Sequence, residues 1–465
     1  MNSMRFPELL VIGCLVLSSA CKKASSVAES SHESSETIQL VDIATDATDP
    51  YDSSDTEPSI AVNPANPNEI AVVAFSGAWG DGAMAPVWKS RDGGVHWSKV
   101  PQIPPPASGW AGPGDQKIAY DSAGHLVIAE LGEDTSNPNG PTKNFVYHQV
   151  SGPDDPLKPG TTYGDDQPHI VLAVQTTSCK DDLYSVWLNT QPSNARSMDS
   201  SSADLGDHVS DVSVGDNHLF PNRTTRVATA PDGKAYVVYK TREGQADGTF
   251  EDVHFRVLRS DDCGATFNGL GQGAGVSISG DQKIRTFFTD NFGNHSKGKV
   301  ARARSSDAWI STTTQPGEVY VAYVSRDQSG FAQIFVAHSK DSGSTWSSTR
   351  VTNGKNHSAF PEIAVAQNGN VGVMYIDFDD SQTRTVFRHR FAISIDSGKT
   401  WQNATLQKLD PDGIQNAADG FLWGDYEGLA AANNVFYGVF TGDSINRTLR
   451  QLDPIFFKVS AAALQ

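Results

Sequence analysis

Four cysteines in 465 residues are too few to build a disulfide-stapled scaffold. Basic residues are scarce as well. Lys and Arg number 36 against 54 Asp and Glu, a formal net charge of -18, which excludes a general nucleic-acid binder with its basic face. After residues 9–17 no apolar run is long enough to cross a bilayer as a helix. The chain has no H-E-x-x-H, no paired C-x-x-C and no EF-hand loop, so no metal announces itself by spacing. Glycine, by contrast, is plentiful at 41 residues. The length suffices for one large all-β domain or for two to three ordinary ones.

The first residues read as an address. Arg5 precedes the apolar run Leu9–Leu17, followed by Ser18-Ser19-Ala20-Cys21. A charge, a short apolar core and small residues describe a secretory signal peptide over residues 1–20. A Cys directly after small residues resembles the lipobox of bacterial lipoproteins, although its customary Leu stands one place early, at Leu17. That resemblance implies lipidation at Cys21. Residues 21–36 then form a tether, with six Ser in 22–36 and little apolar material. Lys22 replaces the Asp that marks inner-membrane retention. The expected place is the outer membrane, the cell surface or the periplasm, with the lipid as the sole membrane contact.

One pattern recurs four times. Ser90-Arg-Asp92-Gly-Gly94-Val-His-Trp97, Ser260-Asp-Asp262-Cys-Gly264-Ala-Thr-Phe267, Ser339-Lys-Asp341-Ser-Gly343-Ser-Thr-Trp346 and Ser394-Ile-Asp396-Ser-Gly398-Lys-Thr-Trp401 all obey S-x-D-x-G-x-x-[WF]. The chemistry of this pattern is structural. A short Asp side chain accepts turn N–H groups, and Gly supplies a positive φ. The aromatic is expected to re-enter a strand and fill the core of its own sheet.

A second repeat runs in phase: a short apolar strand, a turn, then a longer apolar strand. Ile60, Ile118, Ile170, Val227, Ile310, Ile363 and Leu429 mark its seven occurrences. The Asp of the turn follows its marker by 32, 35, 31 or 33 residues where the motif exists. Such constancy describes one four-stranded unit, and stacked units of this size are β-propeller blades. The fold expected is all-β: a single propeller over residues 37–465, seven blades favoured over six. The turn is expected to have decayed near residues 151 and 203. The last repeat lacks a fourth strand, which residues 37–43 at the other end can supply, removing the open edge. The long interval before Ile310, with Arg285–Asp290, reads as an inserted loop.

These turns resemble the Asp boxes (BNR repeats) of the sialidase superfamily, and the likeness covers roughly residues 37–460. The phrase Glu57–Phe75 and the segment Trp423–Ala431 resemble exported bacterial sialidase-like proteins in particular. The superfamily implies a glycan-acting propeller, as an exo-glycosidase or a non-catalytic binder of polysaccharide or protein. Its sialidases hold a substrate carboxylate with three arginines and use a Tyr–Glu nucleophile pair and an Asp acid/base. The likeness places Asp81 as the acid/base and Tyr426 with Glu427 as the pair. The first-blade Arg-Ile-Pro is replaced here by Thr56-Glu57-Pro58-Ser59-Ile60.

In a propeller, residues leading into the inner strands converge on the face opposite the Asp turns. Those residues are Glu57, Asp115 with Lys117, Asp165 with Asp166 and His169, Arg223 with Arg226, Arg304 with Asp307, Glu362, and Asp425-Tyr426-Glu427. Trp79, Trp110 and Trp423 lie in adjoining loops and can stack on sugar faces, or else lie between blades. A ring of carboxylates, arginines and aromatics around a concave mouth suits a ligand; a solvated rim is the plainer alternative. Acidity at long range disfavours an anionic sugar. No cofactor is expected, although Asp165, Asp166 and Asp425 leave room for a divalent cation such as calcium. The partner expected is a glycan, met as a monomer and without nucleic acid. Cys179 and Cys263 fall in turns on one face of neighbouring blades, so in an oxidising compartment they form a disulfide or stay as two thiols.

Overall fold

The computed structural model describes residues 38–49, 54–75, 87–100, 103–104, 106, 109–137, 140, 142–152, 154–189, 196–213, 225–242, 250–287, 291–292, 301–302, 308–352, 354–379, 381–412, 424–445, 447–448 and 450–464. Among these residues the regular structure is β apart from 3-10 turns at Gly271–Gly273 and Ala461–Leu464. Second strands such as Ile70–Phe75 and Val319–Arg326 are near-continuous apolar runs. That composition suits a strand covered on both faces by neighbouring sheets.

Among the described residues, seven antiparallel sheets of four or more strands make up a β-propeller. Their inner strands are Thr56–Val62, Trp110–Tyr120, Asp166–Leu172, Arg226–Thr229, Trp309–Thr312, His357–Val365 and Gly428–Ala432. Each inner strand lies beside that of the next sheet, and the last lies beside the first. Among the described residues the hydrophobic clusters lie mainly between consecutive sheets. Burial between sheets therefore holds the ring together, since a lone blade would leave both faces wet.

The Asp turns all join third to fourth strands. In each, Asp Oδ1 accepts from the backbone four residues on, and the Ser hydroxyl accepts from the Gly N–H. Three expectations need correction. The aromatics do not fill their own sheet; they pack against the preceding one. Trp97 meets Phe456 at 5.1 Å, edge to face, and Phe267, Trp346 and Trp401 join the clusters shared with the preceding blade. The turn near residue 203 has not decayed either. Ser202, Asp204 and Gly206 form the same bonds, with Val209 in the aromatic position against the preceding sheet. The segment before Ile310 is likewise no simple loop, because Ile284–Phe287 pairs with the third strand Phe250–Ser260.

The last sheet is completed from the other end of the chain. Leu40–Asp42 pairs with Leu452–Ser460, Leu40 opposite Phe457 and Asp42 opposite Ile455. Behind this junction Arg447 is buried beside Asp49, Asp55 and Asp453, its Nε donating to Asp453 at 2.9 Å. Cys179 and Cys263 are bonded, with Cα atoms 5.6 Å apart, and tie the first turn of the third blade to the Asp turn of the fourth.

Candidate active site

Four inner strands begin with the same irregularity. Their pairing shifts register between Thr56 and Ser59, Gly114 and Lys117, Asp166 and His169, and Ala359 and Glu362. Inside each shift one non-glycine residue takes a left-handed backbone: Glu57 (φ 54°), Asp115 (φ 37°), Gln167 (φ 52°) and Phe360 (φ 64°). Pro58, Pro168 and Pro361 follow three of them; a residue without an N–H is tolerated at a bulge and not in a regular ladder. A left-handed non-glycine costs about 1–3 kcal/mol and persists where its surroundings enforce it, most often at working sites.

The bulges stack the mouth in two tiers. The lower tier, two residues further along each strand, holds Ser59, Lys117, His169 and Glu362, joined by Trp309 and Glu427. These line a central cavity of about 700 Å³ whose middle is apolar. The upper tier holds Glu57, Asp115 and Gln167, with Asp166 and Asp425. Glu57 Oε1 accepts the Asp425 N–H at 2.9 Å, and Gln167 Nε2 donates to Asp425 Oδ2. Gly424 (φ 80°) makes the contact possible, because a Cβ there would lie 2.0 Å from Glu57 Cγ.

Tyr426 spans the tiers. Lys117 Nζ lies 2.9 Å from its ring centroid. Its buried hydroxyl has no hydrogen bond of ordinary geometry. Glu57 is the first carboxylate to act on that hydroxyl, ahead of Asp115 and Asp425. Burial, then these charges, hold the phenol well above its ordinary range. Burial, then the like charges of Asp115 and Asp425, also push Glu57 well up, and burial with Asp166 raises Asp115 to about 6. Below, burial raises Glu362 although Lys117 and Arg226 oppose it. Burial followed by Arg226 lowers both Lys117 and His169.

Tyr426 and Glu427, expected as a pair, face different partners. Glu427 Oε1 meets His389 Nε2 at 2.9 Å with both side chains fully buried, and its N–H reaches Glu362 Oε1 at 3.3 Å. The carboxylate at the Tyr426 hydroxyl is Glu57. Arg226 lies over the Trp309 ring at 4.6 Å, and His169 meets that ring edge-on at 5.0 Å. Trp110 is elsewhere: it packs edge-on against Phe145 at 5.1 Å, between the first two blades. Asp165 is engaged by the Thr142 hydroxyl. Asp165, Asp166 and Asp425 do not converge as metal ligands. Among the described residues one group meets that geometry, Cys179, Asp182 and Cys263, and its sulfurs are bonded to each other.

Asp81, Trp79, Arg223, Arg304, Asp307, Trp423 and Cys21 lie outside the described residues. Sequence reasoning missed Gln167, Trp309, His389 and Gly424. The X-Pro steps at the strand starts were the available signal for Gln167. Nothing local marks His389, which comes from a third strand.

No protein-family model matches the chain, and no curated protein does. Among solved structures it is similar to an α-L-arabinofuranosidase from Fusarium graminearum in complex with an iminosugar inhibitor. Identity is 11% and TM-score 0.47, over 92% of this chain and 99% of that one. It is also similar to the phage phi92 endosialidase, at 12% identity and TM-score 0.48, over 91% and 69% of the two chains. A polysaccharide lyase of family PL25, an ulvan lyase, gives 12% and 0.43, over 89% and 98%. Likeness at this level assigns no residue a role.

Proposed function

We propose that the protein is a glycan-acting propeller that hydrolyses glycosidic bonds at this mouth. The observation carrying the reading is the unbonded Tyr426 hydroxyl held among Glu57, Asp115 and Asp425 above Lys117. A phenol at its resting value is a poor nucleophile and needs a base at its oxygen. Glu57, itself raised by burial, is a stronger base than an exposed carboxylate. It takes the phenolic proton as Tyr426 attacks the anomeric carbon. Asp115, poised near 6, gives a proton to the leaving oxygen, with Asp81 as the other candidate donor. Water then cleaves the glycosyl-tyrosine with the acid acting as base.

The test is hydrolysis of a panel of aryl glycosides, a sialoside included, by purified protein. Activity that survives Tyr426→Phe and Glu57→Gln together would overturn the assignment. The second reading, binding without turnover, draws on one observation: Glu57 and Tyr426 are each only 3% exposed. Glycan binding with complete inactivity across the panel would favour it.

We further infer export and tethering through Cys21. The Cys179–Cys263 bond supports an oxidising compartment. Cys21→Ala is expected to release the protein from the membrane fraction into the soluble one.

A further inference from the structure

The upper tier has a chemical bias that goes beyond hydrolysis as such and, resting on that reading of the mouth, narrows its substrate. The bulges gather two carboxyls, Glu57 and Asp115, and one amide, Gln167, whose donor is spent; with Asp115 ionised, above its value of about 6, the tier is rich in acceptors. Gln167 is 8% exposed, and its Nε2 is committed to Asp425. A carboxylate only accepts, so this bond fixes the amide orientation and leaves Oε1 as an acceptor. That oxygen has no partner, and neither has the buried Glu57 Oε2 in ordinary geometry. The charges that raise Glu57 are Asp115 and Asp425, both of its own sign, with Lys117 below as the opposing cation. The two cations of the described mouth are placed lower: Lys117 beneath Tyr426 and Arg226 on Trp309, both acting on Glu362, and Lys117 only partly offsetting Glu57 and Asp115 above it.

An anionic sugar placed here adds a like charge to an enclosed acidic arc, where the local dielectric makes repulsion costly. A neutral hydroxyl offers one donor to two waiting acceptors. A primary ammonium offers three donors and a compensating charge. Access runs past Asp115, Asp166 and Asp425, which are only partly buried.

We propose that the upper tier recognises a primary ammonium, so that the glycan bound at this mouth carries an unacetylated amino sugar. Glu57, Asp115 and Gln167 Oε1 receive its N–H donors, and Asp166 and Asp425 complete the charge.

The test is calorimetric binding at pH 7 of three probes to the intact protein: a glucosamine oligosaccharide, its N-acetylated counterpart and sialyllactose. The glucosamine oligosaccharide is expected to bind at least tenfold more tightly than either other probe. Its advantage is expected to shrink at least tenfold in Glu57→Gln and in Asp425→Asn, with thermal melting confirming that each variant folds. Equal or tighter binding of the acetylated or sialylated probe, or no binding of any, would overturn the proposal. Hydrolysis directed at acetylated or acidic glycosides would end the ammonium assignment and leave the hydrolase reading intact. Selective binding of the glucosamine probe by a protein that cleaves nothing would do the reverse.

Discussion

The two faces of the propeller use the same side chain for opposite ends. On one face, Asp92, Asp204, Asp262, Asp341 and Asp396 sit near water, where turn donors are shared among their oxygens. Their carboxyls lie below the ordinary range; for Asp204 and Asp341 the value is about 2. On the other face, burial raises Glu57, Asp115 and Glu362, the first two beside like charges and Glu362 even though Lys117 and Arg226 oppose it. The contrast teaches that the supply of N–H groups decides whether a carboxylate holds the fold or is kept ready to react. A turn aims several amides at one oxygen, whereas a bulge leaves a side chain facing other acids.

The largest test of this contrast is a crossed pair. Glu57→Gln is expected to lower glycosidase turnover at least 100-fold, the scale of a lost acid–base group. The same change should raise the melting temperature, because it removes a buried like charge. Asp396→Ala is expected to do the opposite. It orphans the Lys399 and Thr400 amides and both hydroxyl contacts, costing about 1 kcal/mol, with turnover changed less than twofold. A Glu57→Gln variant that melts earlier would break the comparison.

The next effect is read in pH. An acid that must be protonated and titrates at about 6 gives an alkaline limb on which activity falls about tenfold per unit above that value, while the need for ionised Glu57 sets a separate acid limb. Asp115→Asn is expected to erase the alkaline limb. A profile flat through pH 8 in the parent protein would remove Asp115 as the donor.

The smallest effect sits at the ring junction. Burial and Asp42 raise Asp453 to about 7 despite Arg447. In the unfolded chain an Asp titrates near about 3.9, so between these values the folded state binds more protons. The Asp453 contribution is therefore present at low pH and lost as pH rises from about 4 to about 7. Urea unfolding at pH 4.5 and 7.5 should show a drop that is smaller in Asp453→Asn. An equal drop in both proteins would assign it elsewhere.

The fold was legible because its signals are local and chemical. Ser, Asp and Gly recur at fixed offsets since each turn needs that acceptor and that backbone. Blade three hid only because Val209 replaced the aromatic, while its polar residues kept their places. The mouth was legible in part. Glu57, Asp115 and Asp425 were readable as acids leading into inner strands. Their association with Tyr426, in place of Glu427, was not. Which way two adjacent side chains turn depends on bulge geometry and on the neighbours that the ring brings together. Gln167 looked like an ordinary residue before Pro168, and Gly424 like an ordinary loop glycine until the Glu57 side chain was seen to occupy its missing Cβ.

The strand Leu40–Asp42 finds its partner near the opposite terminus. During synthesis this segment leaves the ribosome early and must stay unpaired until residues 452–460 follow. Translation order thus makes this first strand among the described residues the last to dock, a long-range contact whose loop closure is slow. Re-cutting the chain between two other blades, with the present ends joined, would make every sheet local and is expected to shorten that wait.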